Sequence, residues 1–264
     1  MATPLVFAHR GSSAALPEHT LAAYLRALDE GADGLECDVR LTRDGHLVCV
    51  HDRRLDRTSN GRGRVSAHTL AELDALDFGS WHQGEPGDDL GDVPADPDRT
   101  RLLTLDRLLQ AVRDAGRPVQ LLIETKHPSR YGSTVERRLI AMLRQHGLAD
   151  PKPDDPVRVT VMSFSPLAVR LIRGLAPKLP TVLLLEVAPR WPRMTRLPFG
   201  AQIAGPGISL VRARPRLIRA LRDTGHPVYV WTVNEPADLD LVLEAGVDGI
   251  ITDRPALVLD RLGR

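Results

Sequence analysis

The feature that most constrains this chain is an alternation. Short apolar runs without a polar beat are separated by segments with apolar residues at helical spacing. The runs lie at 5–8, 35–39, 121–123, 157–162, 182–185, 208–211, 228–231 and 249–251. Uniformly apolar strands suit a parallel sheet covered on both faces. Between them, Leu21, Leu25 and Leu28 share one helical face that Gly31 ends. Val135, Leu139, Met142 and Leu143 follow a Ser133/Glu136 capping box and stop at Gly147. Leu167, Leu171, Ile172 and Leu175 follow Ser165-Pro166, an N-cap with proline at the first helical position. Leu217, Ile218 and Leu221 stop at Gly225, and Leu239, Val242 and Leu243 at Gly246, glycine being the favoured residue past a helix C-terminus. Eight such strand–helix units in 264 residues predict a TIM (β/α)8 barrel.

One run is surplus. Residues 47–50 follow 35–39 after only a short Asp44-Gly45 connection, too brief for a helical crossover. This predicts a hairpin excursion from the second strand, with a nine-strand open sheet as the alternative. Residues 53–104 then break the rhythm, and Thr69/Glu72 form a capping box within them. The stretch is too long for a plain loop and too poor in apolar residues for its own core. It reads as an insertion after strand 2 that caps one end of a single barrel domain spanning 1–264. Residues 188–206, rich in Pro, Arg and Gly, suggest a second lid.

The balance of 35 Lys+Arg against 34 Asp+Glu argues against a nucleic-acid or anionic-membrane partner. No apolar run approaches the roughly 18 residues of a membrane span, and the start has no signal-peptide pattern. No amphipathic segment stands out as a stable membrane anchor. Two cysteines, Cys37 and Cys49, make no disulfide framework. They are expected to point away from each other. The expectation is a cytoplasmic protein. Oligomeric state is not legible.

The chemistry lies at strand ends. His9-Arg10 follows the first strand; Glu36 and Asp38 sit two apart in the second; His51-Asp52 ends the hairpin; Glu124 and Lys126 sit two apart after the third barrel strand. Residues two apart in a strand project to the same face, and C-terminal strand ends converge on one barrel rim. Glu36, Asp38 and Glu124 together repel one another. A hard divalent cation, Mg²⁺ or Ca²⁺ with Mn²⁺ a further candidate, would neutralise them through oxygen ligands. The competing reading is a structural ion network closed by Lys126 and Arg10.

His9 and His51 are then available as an acid–base pair near neutral pH. The other histidines at 46, 68, 82, 127, 146 and 226 read as loop or surface residues. Arg10 and Lys126 offer positive charge to an anionic phosphate. Trp231 reads as core or as a wall against the substrate's apolar part. Cation, basic side chains and paired imidazoles suit displacement at phosphorus. Residues 28–38 also match 243–253 at Leu28/Leu243, Gly31/Gly246, Asp33/Asp248, Gly34/Gly249 and Asp38/Asp253, which reads as shared helix-to-strand turn chemistry.

Taken in order, His9-Arg10-Gly11, Pro17-Glu18-His19-Thr20, Glu36-Cys37-Asp38-Val39, His51-Asp52, Leu55-Asp56-Arg57-Thr58, Glu124-Thr125-Lys126, Trp231-Thr232-Val233-Asn234 and Gly249-Ile250-Ile251-Thr252-Asp253 resemble the glycerophosphodiester phosphodiesterase family over nearly the whole chain. The resemblance implies a TIM barrel with a capping insertion. It implies divalent-cation-dependent hydrolysis of small-molecule glycerophosphodiesters to glycerol 3-phosphate and an alcohol. It also implies His9 and His51 as acid and base, Glu36, Asp38 and Glu124 as metal ligands, and Arg10 and Lys126 on phosphate. His19 departs from the family's usual Asn, which bears on the hydrogen bonding around His9. The alternatives are a lysophospholipid-cleaving enzyme on the same barrel, a non-catalytic phosphate-ester-binding barrel and a metal-dependent aldolase.

Overall fold

The computed structural model describes residues 3–83, 96–187 and 196–264. Its strands are β1 (Leu5–His9), β2 (Gly34–Leu41), β3 (Leu47–Cys49), β4 (Val119–Thr125), β5 (Val157–Ser163), β6 (Thr181–Leu185), β7 (Ile203–Pro206), β8 (Tyr229–Val230) and β9 (Gly249–Thr252). Eight of them run parallel in the order β7-β6-β5-β4-β2-β1-β9-β8. Bridges Ala204 to Val228 and Gly207 to Trp231 bring β7 against β8, so the barrel nearly closes. The ninth, β3, pairs antiparallel with β2 and with no other described strand, which makes 47–50 the expected hairpin and removes the open-sheet alternative.

Residue parity decides which side chains face in. Phe7, Leu122, Met162, Val182, Leu184, Ile203, Tyr229 and Ile251 form the cluster inside the barrel. Their strand neighbours of opposite parity, such as Leu35, Leu121, Ile123, Val159 and Val161, pack outward under the helices. Gly34 is required by the inner packing: a Cβ there would stand 2.4 Å from the Gln120 carbonyl oxygen and 2.7 Å from the Phe7 ring.

Most helix signals hold. Thr20, Thr69, Thr104 and Ser165 cap Leu21–Asp29, Leu70–Asp74, Leu105–Arg113 and Pro166–Leu175. Thr69 and Glu72 form a full capping box. The matched segments 28–38 and 243–253 are explained by their aspartates. Asp33 accepts from the Val6 N–H at 2.8 Å and Asp248 from the Val228 N–H at 2.9 Å, each tying a turn to the adjacent strand.

Several readings need correction. Residues 208–211 belong to a helix, Ile208–Ala213, and the strand is Ile203–Pro206. That strand is small and poor in β-formers because a Cβ on Gly205 would press at 2.8 Å on Val182 and Leu184. Part of the suggested second lid, 203–206, is thus barrel wall, and 188–195 lie outside the described residues. Leu25 is 39% exposed; the buried stripe of its helix runs through Leu21, Tyr24 and Leu28. Ser133 makes no capping bond, its ψ of 7° lying outside the extended conformation of an N-cap, and Glu136 is buried and held 2.7 Å from Nε2 of His127. Cys37 and Cys49 share one buried cluster and their thiols interact. The register pairs Cys49 with Val39, which has the parity of Cys37.

The insertion does gather apolar residues. Leu55, Val65, Leu73, Phe78 and Leu102 pack on Val48 and Val50 of the hairpin. Residues 84–95 of it lie outside the described residues.

Candidate active site

Inward parity carries His9 on β1, Glu36 and Asp38 on β2, Glu124 on β4 and Lys126 just beyond it to one rim. Register places His9 beside Glu36 and Asp38 beside Glu124. The carboxylates of Glu36, Asp38 and Glu124 offer oxygen atoms all within 4.8 Å of one another, and all three residues are buried. Lys126 Nζ lies 2.9 Å from Glu124 and 3.3 Å from Asp38, and Arg10 Nε lies 3.2 Å from Asp38. The contacts of the competing ion-network reading are therefore present.

Two cations do not balance three buried carboxylates. Burial, then the neighbouring Asp38, drives Glu36 well above the usual carboxylate range and Glu124 up to about 8. Asp38 is held well below that range, because Lys126, His19 and Arg10 outweigh the effect of its burial. Glu36 and Glu124 thus lack a counter-charge for their ionised forms, and this set of oxygen donors fits a hard divalent cation in that role.

His51 arrives by way of the hairpin. Val50 N–H donates to the Asp38 carbonyl, and the Arg40 guanidinium holds the His51 carbonyl at 2.7 and 2.9 Å. Each proposed imidazole has its own carboxylate: Nδ1 of His9 is 2.6 Å from Asp253, and Nδ1 of His51 is 2.7 Å from Asp52. That leaves Nε2 of both rings for the cleft. Burial, aided by Arg10 and Lys126, lowers His51 to about 4 against the pull of Asp38 and Asp52. Asp253 is held at about 2, because His9, Asn234 and Ser13 overcome its desolvation.

The cleft has a volume of about 380 Å³. Its charged side is His9, Arg10, Glu36, His51, Glu124 and Lys126; its apolar side is Met162, Phe164, Leu184, Trp231 and Ile251. Trp231 lies where the barrel core meets the cleft. It packs on the inner cluster and lines the cleft, with Nε1 donating to the Gly205 carbonyl at 2.7 Å. Phe164 meets it edge-on, with ring centroids 5.3 Å apart.

Sequence reasoning missed several residues here. His127, in the loop after β4, lines the cleft. His19 lies beside Asp38, not His9: its Nε2 is 2.9 Å from Asp38 and its Nδ1 2.8 Å from the Tyr24 hydroxyl. Its φ of 62° explains why an Asn is at home there, since Asn tolerates the left-handed region. Asp253 had a readable signal, its alignment with Asp38 in the repeated segment. Glu18 and Arg57 had none beyond the family pattern.

The model of the glycerophosphoryl diester phosphodiesterase family matches residues 9–257. The chain belongs to that family. It is 52% identical to the "probable glycerophosphodiester phosphodiesterase 1" of Mycobacterium tuberculosis, over 96% of this chain and 90% of that protein. It is 37% identical to a glycerophosphodiester phosphodiesterase of Bacillus subtilis, over 96% of this chain and 84% of that one. Among solved structures, a phosphodiesterase of Oleispira antarctica in complex with the product sn-glycerol-3-phosphate shares the fold. Its TM-score is 0.81 at 24% identity, covering 99% and 97% of the two chains. As a family member the chain is a phosphoric diester hydrolase, which sets aside the aldolase and non-catalytic readings. No described helix is long and apolar enough to cross a membrane.

Proposed function

We propose that the chain hydrolyses glycerophosphodiesters to glycerol 3-phosphate and an alcohol, with His9 and His51 as the acid–base pair. The observation that carries this reading is the matched tethering of the two rings. Each Nδ1 is fixed by a carboxylate, and both Nε2 atoms serve one cleft beside the acidic trio. Such tethering sets tautomer and orientation in advance. One imidazole takes the proton of the attacking water; the other gives a proton to the leaving alkoxide as its bond to phosphorus breaks. Lys126 and Arg10 bring positive charge to the phosphoryl oxygens. Glu36, Asp38 and Glu124 would hold Mg²⁺, Ca²⁺ or Mn²⁺, which polarises a phosphoryl oxygen when bound. Met162, Phe164, Leu184 and Trp231 form the wall that receives the substrate's organic part.

The test is release of glycerol 3-phosphate from a panel of glycerophosphodiesters, with chelator and then each cation restored. Chelation should abolish turnover and a cation should restore it. His9→Ala and His51→Ala should each lower kcat by roughly a hundredfold or more. Near-normal turnover in either variant removes that ring from the pair, and activity indifferent to chelation removes the cation.

A further inference from the structure

Arg57, a side chain of the capping insertion, reaches the active site. Arg57 grips Glu18 with Nη1 and Nη2, each at 2.7 Å, and Asp52 with Nε at 2.7 Å and Nη2 at 3.2 Å. Asp52 in turn holds Nδ1 of His51, and Glu18 holds Nη1 of Arg10 at 3.1 Å. Arg10 then reaches Asp38 through Nε. The groups form a continuous chain from the His51 ring through Asp52, Arg57, Glu18 and Arg10 to the acidic trio.

We propose that Arg57 is a positioning residue, which fixes the His51 ring and the Arg10 guanidinium relative to each other through Asp52 and Glu18. The proposal rests on His51 as a member of the acid–base pair. Isolated surface ion pairs are worth little, but this guanidinium makes a two-point fork to each of two carboxylates. That geometry is the one in which arginine gives direction as well as charge. Glu18 is only 11% exposed, and the Arg57 guanidinium carbon lies 5.9 Å from the centre of the Trp81 ring, a second insertion residue. A lysine there would keep the charge and lose the fork.

Arg57 also shares the charge of Asp52, which would otherwise act on His51 alone. The other charged groups facing that ring are Asp38 on β2, Arg10 beyond β1 and Lys126 beyond β4. Removing the Arg57 cation leaves Asp52 undivided, so the His51 ring should keep its proton to higher pH.

The experiment compares wild type, Arg57→Gln and Arg57→Lys by turnover, thermal melting and NMR titration of the His51 ring, assigned from the His51→Gln spectrum. The expected result for Arg57→Gln is a kcat lower by roughly ten- to a hundredfold, the usual cost of losing an outer partner of a site. KM should change less, and the His51 titration should move upward. Arg57→Lys should fall between the two. An unmoved His51 titration in Arg57→Gln, with activity lost only in step with melting temperature, overturns the proposal and leaves Arg57 a strut of the insertion. If His51→Ala retains turnover, the acid–base reading has failed instead.

Discussion

Nδ1 of His9 lies 2.6 Å from Oδ1 of Asp253, a residue 244 positions further along the chain. The contact joins the first barrel strand to the last, which are hydrogen-bonded neighbours. Ser13 and Asn234 donate to the same carboxylate, so its orientation is set independently of the imidazole. Asp253 is therefore a fixed anchor for His9.

Replacing this carboxylate by an amide keeps its size and removes its charge. Asp253→Asn is expected to lower kcat by about a hundredfold or more, because the His9 ring loses the group that selects its tautomer. Cation affinity, measured by titration calorimetry, should stay as in wild type, since Asp253 is not among the acidic trio. A variant with full kcat would show that His9 needs no anchor.

The same residue makes a pH prediction. Asp253 titrates near 2 in the folded protein and near 4 in an unfolded chain. Between those values the unfolded state binds more protons. The contribution is thus fully present above about pH 4 and is lost as pH falls through about 2. Its size is on the order of 2 kcal/mol. Denaturant unfolding from pH 6 to pH 2 should show wild type and Asp253→Asn converging toward the acid end. A constant gap between them would place the stabilisation elsewhere.

Parity is the reason so much of the site was legible. His9, Glu36, Asp38, Glu124 and Lys126 share the inward phase of strands whose apolar character is plain, so their convergence follows once the barrel is accepted. Strand β7 was obscured because its residues, Ile-Ala-Gly-Pro at 203–206, are chosen for lack of volume beside Val182 and Leu184, not for strand propensity. Arg57 was hidden for another reason. It belongs to an insertion without a period, and of its two partners only Asp52 is near in sequence, while Glu18 comes from the loop after β1. The Ser133/Glu136 capping box fails on both sides: Ser133 lies outside the extended backbone of an N-cap, and a tertiary partner, His127, takes the carboxylate. Local chemistry gave way to a longer-range contact.

His19 offers a test of the acidic trio from outside it. Its ring supports Asp38 at 2.9 Å, and 5% of the residue is exposed. His19→Ala should weaken cation binding by roughly ten- to a hundredfold, as loss of an outer partner commonly does. His19→Asn should lose less, because Asn accepts the positive φ and keeps a donor near Asp38. Calorimetric titration with Mg²⁺ or Mn²⁺ reads both. An unchanged affinity in His19→Ala would separate Asp38 from cation binding.

Two glycines make opposite stability predictions from the same substitution. At Gly34 an added methyl would stand 2.4 Å from the Gln120 carbonyl oxygen, a backbone atom held in the β2–β4 pairing. It cannot retreat without moving the strand that carries Glu36 and Asp38. Gly34→Ala should therefore cost about 1–3 kcal/mol or more, and cation affinity should fall with it. Gly174 lies within the helix Pro166–Leu175 and has nothing within 4 Å of the same added atom. Gly174→Ala should be neutral or stabilising by roughly 0.5–1 kcal/mol, because alanine loses less backbone entropy in a helix. Denaturant midpoints measured at equal slope decide both. A Gly34→Ala protein as stable as wild type would mean that the inner layer of the barrel yields more readily than its packing implies.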